Sequence, residues 1–159
     1  MILCLICARG GSKRLPNKNL LKIKNKSLLR LSIEHAMLCP NIDKIIVSTD
    51  CPNIADEGKK YGAQVPFLRP KLLSSDNAPE WKVWQNFINK MGLNDDQIII
   101  ILPTTSPNRK LSDISKGIKL FEKNKHDIII AVTESTKNPY FNMLEKKGNN
   151  LELSKKDKK

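Results

Sequence analysis

The strongest candidate for chemistry in this sequence is a loop of thirteen residues, CARGGSKRLPNKN, at positions 7–19. It contains two glycines and four cationic side chains and directly follows an apolar run. Gly10 and Gly11 can adopt positive φ and turn backbone N–H groups into a concave nest for an anion. Arg9 can bind phosphate oxygens through two parallel hydrogen bonds. The loop is therefore a candidate phosphate cradle.

The spacing of this loop matches neither of two common phosphate-binding motifs. It lacks the G-x-x-x-x-G-K-[ST] pattern of a Walker A loop and the G-x-G-x-x-G pattern of dinucleotide-binding folds. A solvated basic loop is the alternative to a phosphate cradle. In the cradle hypothesis, charge and hydrogen bonds come from Arg9, Ser12, Lys13, Lys18 and Asn19.

Two further polar loops, SSDNAPE at 74–80 and PTTSPNR at 103–109, could contribute to the same site. We predict that Asp76 is the N-cap of the helix that follows it rather than a metal ligand. On that helix, Trp81 and Trp84 are predicted core residues. Because ligands of parallel α/β sheets bind beyond the carboxyl ends of the strands, the three loops are expected to meet at one edge.

The elements that must position these loops follow from the apolar patterns. Runs typical of buried strands lie at 1–7, 43–50, 96–103 and 126–134. Helical spacing predicts helices at 27–39, 52–62, 80–90 and 111–124, with Ser27 and Ser112 as N-caps, and a hairpin is predicted around 148–150. Alternating strands and helices predict an α/β fold with three layers and a mainly parallel sheet, in one domain over 1–159.

Composition favours a globular protein with an anionic ligand. The chain has 159 residues, 40% of them hydrophobic, and a formal net charge of +12. A nucleic-acid binder is the weakest reading, because aromatic residues make up only 5% and lysine greatly outnumbers arginine. No helix-turn-helix, RNP-like or zinc pattern is present in the sequence.

Cysteine and histidine usage points away from redox and metal chemistry. No apolar run reaches the roughly eighteen residues that span a bilayer, and no signal-peptide pattern is present, so a cytoplasmic location with free thiols is expected. Cys4 and Cys7 are three apart in a predicted strand and should face opposite sides. His35 and His126 have no companion ligands, and no metal site is expected in this chain. The remaining cysteines are Cys39 and Cys51.

Several segments, taken in order, resemble the acylneuraminate cytidylyltransferases, enzymes that make CMP-sugars from nonulosonic acids. The segment ICARGGSKRLPNKNLLKIKNKSLL is similar to the N-terminal signature of that family. The similarity continues through IIVSTDCPNIADEGKKYGAQVPFLRP, LSSDNAP and LPTTSPNRKLSDI. The segment NPYFNMLEKKGNNLELSK is most similar to the branch that activates legionaminic-type sugars.

The resemblance implies a Rossmann-like nucleotidyltransferase fold and a reaction. CTP and a 2-keto acid sugar of the sialic or legionaminic type would give the CMP-sugar and pyrophosphate, with Mg²⁺ as cofactor and a homodimer as the assembly. Arg9 and Lys18 would be catalytic. Nucleotide binding would fall to Ala8, Gly10, Gly11, Ser12, Lys13, Asn19, Arg69, Asn77 and Ala78. Sugar binding would fall to Thr105, Ser106, Arg109, Tyr140, Phe141 and Asn142, with Asn138 beside them.

The sequence departs from the family pattern at two positions and in length. Glu80, or Pro79 before it, stands where the family often has a small hydroxyl residue near the cytosine. Pro103 stands where the family has Gln or Asp, and proline offers no side-chain hydrogen bond. The family's dimerisation arm and late D-x-D metal pair are expected to be missing from this chain. The alternative to an active cytidylyltransferase is therefore a nucleotide-binding remnant without catalysis.

Overall fold

The computed structural model of the protein describes residues 1–124 and 126–155. Its contacts divide the chain into two units, Met1–Lys125 and His126–Lys159, which are described separately below. The expected single nucleotidyltransferase domain over 1–159 stays a prediction.

The first unit is built around a parallel sheet. Strands β1 and β4 pair in parallel from Leu3↔Lys44 to Cys7↔Ser48, and β1 also pairs in parallel with β5 from Ile2↔Ile98 to Leu5↔Ile101. The strand order is β4-β1-β5, so β1 is the central strand. The elements of this unit are β1 (Ile2–Cys7), β2 (Lys22–Ile23), β3 (Lys26–Ser27), α1 (Leu28–Met37), β4 (Lys44–Ser48), α2 (Pro52–Lys60), α3 (Glu80–Met91), β5 (Ile98–Ile101) and α4 (Leu111–Asn124).

Alternate residues of β1 face opposite layers of helices. Cys4 and Ile6 lie in one core cluster with side chains of α1 and α2, whereas Leu3 and Leu5 lie in the other cluster with Phe87 of α3. This period of two is the ordinary pleat of a strand buried on both faces. The predicted α/β fold with three layers and a parallel sheet is therefore confirmed in this unit. The prediction that Cys4 and Cys7 face opposite sides is also confirmed.

The helix ends follow local sequence signals at most positions. Ser27 caps α1, because its Oγ accepts from the amide of Arg30 at 3.0 Å, and the same hydroxyl donates to Glu57 of α2 at 2.8 Å. Helix α3 ends at Gly92, whose φ of +60° favours glycine. The prediction that Ser112 caps α4 is wrong, because the helix already begins at Leu111 and Ser112 is its second residue.

The two tryptophans of α3 have different environments. Trp84 packs against the core cluster that contains Phe87, as predicted. Trp81 is 51% exposed, so its prediction as a core residue is wrong. The stripe facing the sheet is formed instead by Val83, Trp84, Phe87 and Ile88, which recur at helical spacing, and Trp81 falls outside it.

The second unit contains one hairpin, formed by β6 (Leu144–Lys147) and β7 (Asn150–Leu153). Its turn begins at Gly148, whose φ is +62°, and the predicted hairpin is confirmed. The strand predicted at 126–134 is wrong. A strand needs a neighbour to take its backbone hydrogen bonds, and within the described part of the chain no ladder includes this segment. Among the described residues, no helix is long and apolar enough to cross a membrane.

Candidate functional site

A cavity of about 360 Å³ lies at the carboxyl ends of β1 and β5. Three loops surround it, those at 7–19, 69–80 and 103–105, which confirms the expectation that they meet at one edge of the sheet. The 7–19 loop contributes cations, the 69–80 loop contributes both a cation and carboxylates, and the 103–105 loop is uncharged. The residues lining it are Cys7, Arg9, Ser12, Lys18, Asn19, Arg69, Leu73, Ser75, Asp76, Ala78, Glu80, Val83, Pro103, Thr104 and Thr105.

The glycine pair works differently from the expectation. Neither Gly10 nor Gly11 has a positive φ. Gly10 is required for close approach instead, because a Cβ there would lie 2.8 Å from the Cβ of Cys51. Its amide donates to Asp50 Oδ1 at 3.0 Å, and the amide of Ser12 donates to the Gly10 carbonyl at 3.0 Å. Two amides of the predicted anion nest are therefore used inside the protein.

Two cations of the loop are paired with Asp76. Arg9 Nη2 lies 2.5 Å from Asp76 Oδ1, and Lys13 Nζ lies 2.7 Å from Asp76 Oδ2. The Lys13 ammonium and the Arg9 guanidinium hold the pKa of the Asp76 carboxyl below its usual value. The prediction that Asp76 caps α3 is wrong: Pro79 is the N-cap, and no side chain caps that helix end. The Asp76 carboxylate pairs with cations of the distant 7–19 loop instead of capping the helix.

Lys18 and Asn19 are positioned by a short 3₁₀ helix, Lys18–Leu20. Asn17 precedes it with φ +52°, a left-handed conformation that asparagine tolerates. Lys18 lines the cavity, and no carboxylate among the described residues lies within ion-pair distance of it. It is a cation available to a bound anion.

Asn19 joins two of the three loops. Its Nδ2 donates to the Arg9 carbonyl at 2.9 Å, and its Oδ1 accepts from Thr104 Oγ1 at 2.7 Å. Both Asn19 and Thr104 are buried. A phosphate contact was predicted for Asn19, and no role was predicted for Thr104. In the structure, the hydrogen bond between these two side chains joins two walls of the cavity.

Arg69 is a buried cation in the cavity wall. Its side chain is 5% exposed, its Nε donates to Ser74 Oγ at 3.1 Å, and its Nη2 lies 4.0 Å from Asp50 Oδ1. Burial lowers the pKa of the guanidinium, but an arginine remains charged in proteins. No role was predicted for Asp50, which follows β4. It accepts a hydrogen bond from the Gly10 amide and forms an ion pair with Arg69.

Arg109 is not among the residues that line the cavity. It donates to the Pro103 carbonyl and, at 3.4 Å, to Ser32 Oγ of α1. Burial lowers the pKa of this guanidinium. Arg109 therefore ties the 103–109 loop to α1. Of the other residues predicted for the sugar, Thr105 lines the cavity and Ser106 does not.

The remaining predicted residues have other surroundings. Ala8 is fully buried in the core and its amide donates to the Ser48 carbonyl, while Gly11, Lys13 and Asn77 flank the cavity loops without lining the cavity. In the second unit, Asn138 and Asn142 close a tight turn, since the amide of Asn138 donates to Asn142 Oδ1 at 2.5 Å. That turn displays Phe141, which is 79% exposed, and Tyr140 beside it.

The described residues contain no preformed cluster of metal-ligating side chains. No group of three His, Cys, Asp or Glu side chains comes together within residues 1–124 and 126–155. Two carboxylates at the site are already paired, Asp76 with Arg9 and Lys13, and Asp50 with the Gly10 amide and Arg69. Glu80 is one further carboxylate in the cavity lining. A divalent cation beside Asp76 or Asp50 would face cations already in place, so these two carboxylates do not fit a Mg²⁺ ion.

Comparisons with known proteins agree with this architecture. A family model described as cytidylyltransferase matches residues 3–158. The pseudaminic acid cytidylyltransferase of Campylobacter jejuni is 36% identical over 83% of this chain and 58% of its own length. The CMP-N,N'-diacetyllegionaminic acid synthase of the same species is 34% identical over 97% of this chain and 67% of its own length.

A solved structure of CMP:2-keto-3-deoxy-manno-octonic acid synthetase complexed with CTP has the same fold. It is 22% identical, with a TM-score of 0.67 over 78% of this chain and 48% of that protein. The chain thus spans about three fifths of the length of the curated relatives and about half of that structure. The resemblance read from the sequence is confirmed: this chain belongs to the cytidylyltransferase family.

Proposed function

We propose that the cavity binds CTP. In this proposal, the chain supplies the nucleotide-binding part of an active site that transfers CMP to the anomeric hydroxyl of a nonulosonic acid. The observation that carries the proposal is the grouping of Arg9, Ser12, Lys18, Asn19 and Arg69 around one cavity. The family supports the same chemistry, since its relatives include CMP-sugar-forming enzymes.

The charges of the cavity suit a nucleoside triphosphate. Lys18, Arg9 and Lys13 stand along one loop, and Arg69 faces them from the second loop. Within the described part of the chain, the amides of Gly11 and Lys13 have no protein acceptor and remain for phosphate oxygens. We therefore place the β- and γ-phosphates at the 9–13 loop and the nucleoside toward Arg69, Asn77 and Ala78.

In the proposed reaction, the anomeric oxygen forms a bond to the α-phosphorus. The bond from that phosphorus to the bridging oxygen of pyrophosphate breaks, and the hydroxyl proton passes to water. Lys18 and Arg9 neutralise negative charge that shifts toward the leaving pyrophosphate. Thr104 and Asn19 keep the two loops at a fixed distance, which orients the reacting groups without touching them.

The sugar, the magnesium ion and a homodimer are also parts of this proposal. Thr105 lines the cavity and is the best-placed residue for a sugar contact. Arg109, which is tied to the Pro103 carbonyl, would act by fixing that loop. Mg²⁺ when present would offset charge on the triphosphate, and an assay of pyrophosphate release should therefore contain it. Light scattering of the purified chain tests the dimer.

Calorimetric titration of the whole chain with CTP, UTP and CMP tests the proposal. We expect Arg9→Ala and Lys18→Ala each to weaken CTP binding by about tenfold, because a charge-assisted hydrogen bond is lost, and to weaken CMP binding far less. Lys59→Ala is the matched control, since it removes the same charge from an exposed position on α2 outside the cavity lining.

Two results would overturn parts of this proposal. Equal CTP affinity in the wild type and both cavity variants would remove the phosphate role of the loop. Release of pyrophosphate from CTP, Mg²⁺ and pseudaminic, legionaminic or sialic acid by this chain would eliminate the remnant alternative, and its absence despite CTP binding would favour that alternative. Binding of nucleic acid with a steep salt dependence and without CTP competition would replace the proposal.

A further inference from the structure

The carboxylate of Asp76 forms ion pairs with Arg9 and Lys13, the two cations that the proposed function assigns to phosphate. Its two oxygens contact different partners, Oδ1 to Arg9 Nη2 at 2.5 Å and Oδ2 to Lys13 Nζ at 2.7 Å. Arg9 Nη1 also donates to the Ser74 carbonyl at 3.5 Å. One planar anion with two oxygens thus bridges the two cations, as two oxygens of a phosphate group would.

These contacts join segments that are distant in the chain. Asp76 and Arg9 are separated by 67 positions, and Asp76 is not required to cap its own helix. The side chains are 34% exposed for Arg9, 84% for Lys13 and 35% for Asp76. Ion pairs this open to water are weak and exchange readily. A more highly charged anion can therefore displace the carboxylate, and the carboxylate can return.

We propose an exchange role for Asp76: its carboxylate gives up Arg9 and Lys13 to the phosphates of a bound nucleotide. It pairs with the two cations again when pyrophosphate leaves. The proposal rests on the proposed function, because it assumes that a polyphosphate binds these two cations. Asp76 is a positioning residue in this account: it makes no bond to reacting atoms. It holds the 9–13 loop against the 74–78 segment and competes with the leaving product, so it lowers the affinity for pyrophosphate.

Lys18 gives the arrangement a third cation that Asp76 does not hold. It lines the cavity and has no ion-pair partner among the described residues, so it attracts an incoming phosphate while Asp76 still holds the other two cations. Capture and release then depend on side chains from two different loops, Lys18 of the 7–19 loop and Asp76 of the 69–80 loop. Removing Lys18 weakens capture, whereas removing the Asp76 carboxylate strengthens retention.

Calorimetric titration of the whole chain with pyrophosphate and with CMP tests the proposal. We expect Asp76→Asn to lower the Kd for pyrophosphate by about three- to tenfold, since competition from two exposed ion pairs is removed. The Kd for CMP should stay within about twofold, because CMP lacks the β- and γ-phosphates placed at Arg9 and Lys13. Asp76→Ser removes the same carboxylate with a different side chain and should give the same result.

Asp95→Asn is the matched control for net charge. Asp95 is exposed and precedes β5, at the amino end of the sheet, whereas the cavity lies at the carboxyl end. An equal gain in pyrophosphate affinity in this variant would mean that long-range charge alone is responsible, which overturns the proposal.

The remaining outcomes separate this proposal from the proposed function. Unchanged or weaker pyrophosphate binding in both Asp76 variants, with an unfolding midpoint like that of the wild type, overturns the exchange role alone. A parallel shift in CMP affinity would show that Asp76 only shapes the cavity, which also overturns it. If the wild type binds neither pyrophosphate nor CTP, the proposed function fails and the exchange role fails with it.

Discussion

Two isoleucine-rich segments of similar sequence have different structures in this protein. Ile98–Ile101 forms β5, is half-buried, and pairs in register with the central strand β1. The segment 128–132, IIIAV, forms no strand, and its Ile128, Ile130 and Val132 are 70%, 68% and 82% exposed. Both segments satisfy the same β-propensity pattern.

The difference lies in what each segment meets. The backbone of β5 forms hydrogen bonds with that of β1, and apolar side chains cover both faces of the sheet. Segment 128–132 belongs to the second unit, whose described strands β6 and β7 pair only with each other. A buried strand therefore needs two things, a run of apolar, β-branched residues and a partner strand that takes its backbone hydrogen bonds.

The largest effect expected within this comparison is the loss of the side chain that closes one face of the sheet. Phe87 is 1% exposed and packs with Leu3, Leu5 and Ile46. We expect Phe87→Ala to lower the free energy of unfolding by about 3–5 kcal/mol, because it removes apolar contacts and leaves a cavity. Urea unfolding followed by tryptophan fluorescence measures it, since both tryptophans lie in α3. A loss below about 1 kcal/mol would show that this face is not closely packed.

A second prediction uses the thiols buried around the sheet. Burial raises the pKa of Cys4 to about 12 and that of Cys7 to about 11, from an ordinary 9.0. Above pH 9 the unfolded chain loses these protons first, so it binds fewer protons than the folded chain and stability falls as pH rises toward 11. The expected slope is about 1.4 kcal/mol per pH unit for each thiol.

Urea unfolding between pH 8 and 11 measures this slope. Cys4→Ala should give a shallower slope, because one titrating group is removed from the core. The second unit contains no cysteine, so the thiol contribution to the slope comes from the first unit alone. An identical slope in the wild type and the variant would contradict a buried, neutral Cys4.

Local signals in the sequence were sufficient for much of the packed unit. The apolar run of β1, the Ser27 cap of α1 and the stop at Gly92 depend on neighbouring residues, and the structure has all three. The grouping of Arg9, Lys18 and Arg69 also followed, because parallel strands bring their carboxyl ends to one edge.

What the sequence left undetermined depends on partners far along the chain. Asp76 was predicted to cap α3, yet it pairs with Arg9, 67 positions away, and with Lys13. Thr104 meets Asn19 across 85 positions, and Gly10 is small because Cys51 lies against it. Propensity and spacing describe only neighbours, so such contacts emerge only when the loops are placed in space.

The smallest effect tests the comparison itself, because the same substitution is made in both segments. Ile100→Ala removes a side chain packed against the core cluster and should cost about 2 kcal/mol. Ile130→Ala removes a side chain that is 68% exposed and should change the free energy of unfolding by less than about 0.5 kcal/mol. Equal losses in the two variants would mean that the 128–132 segment is packed in solution, and that it has found the partner strand that its sequence predicts.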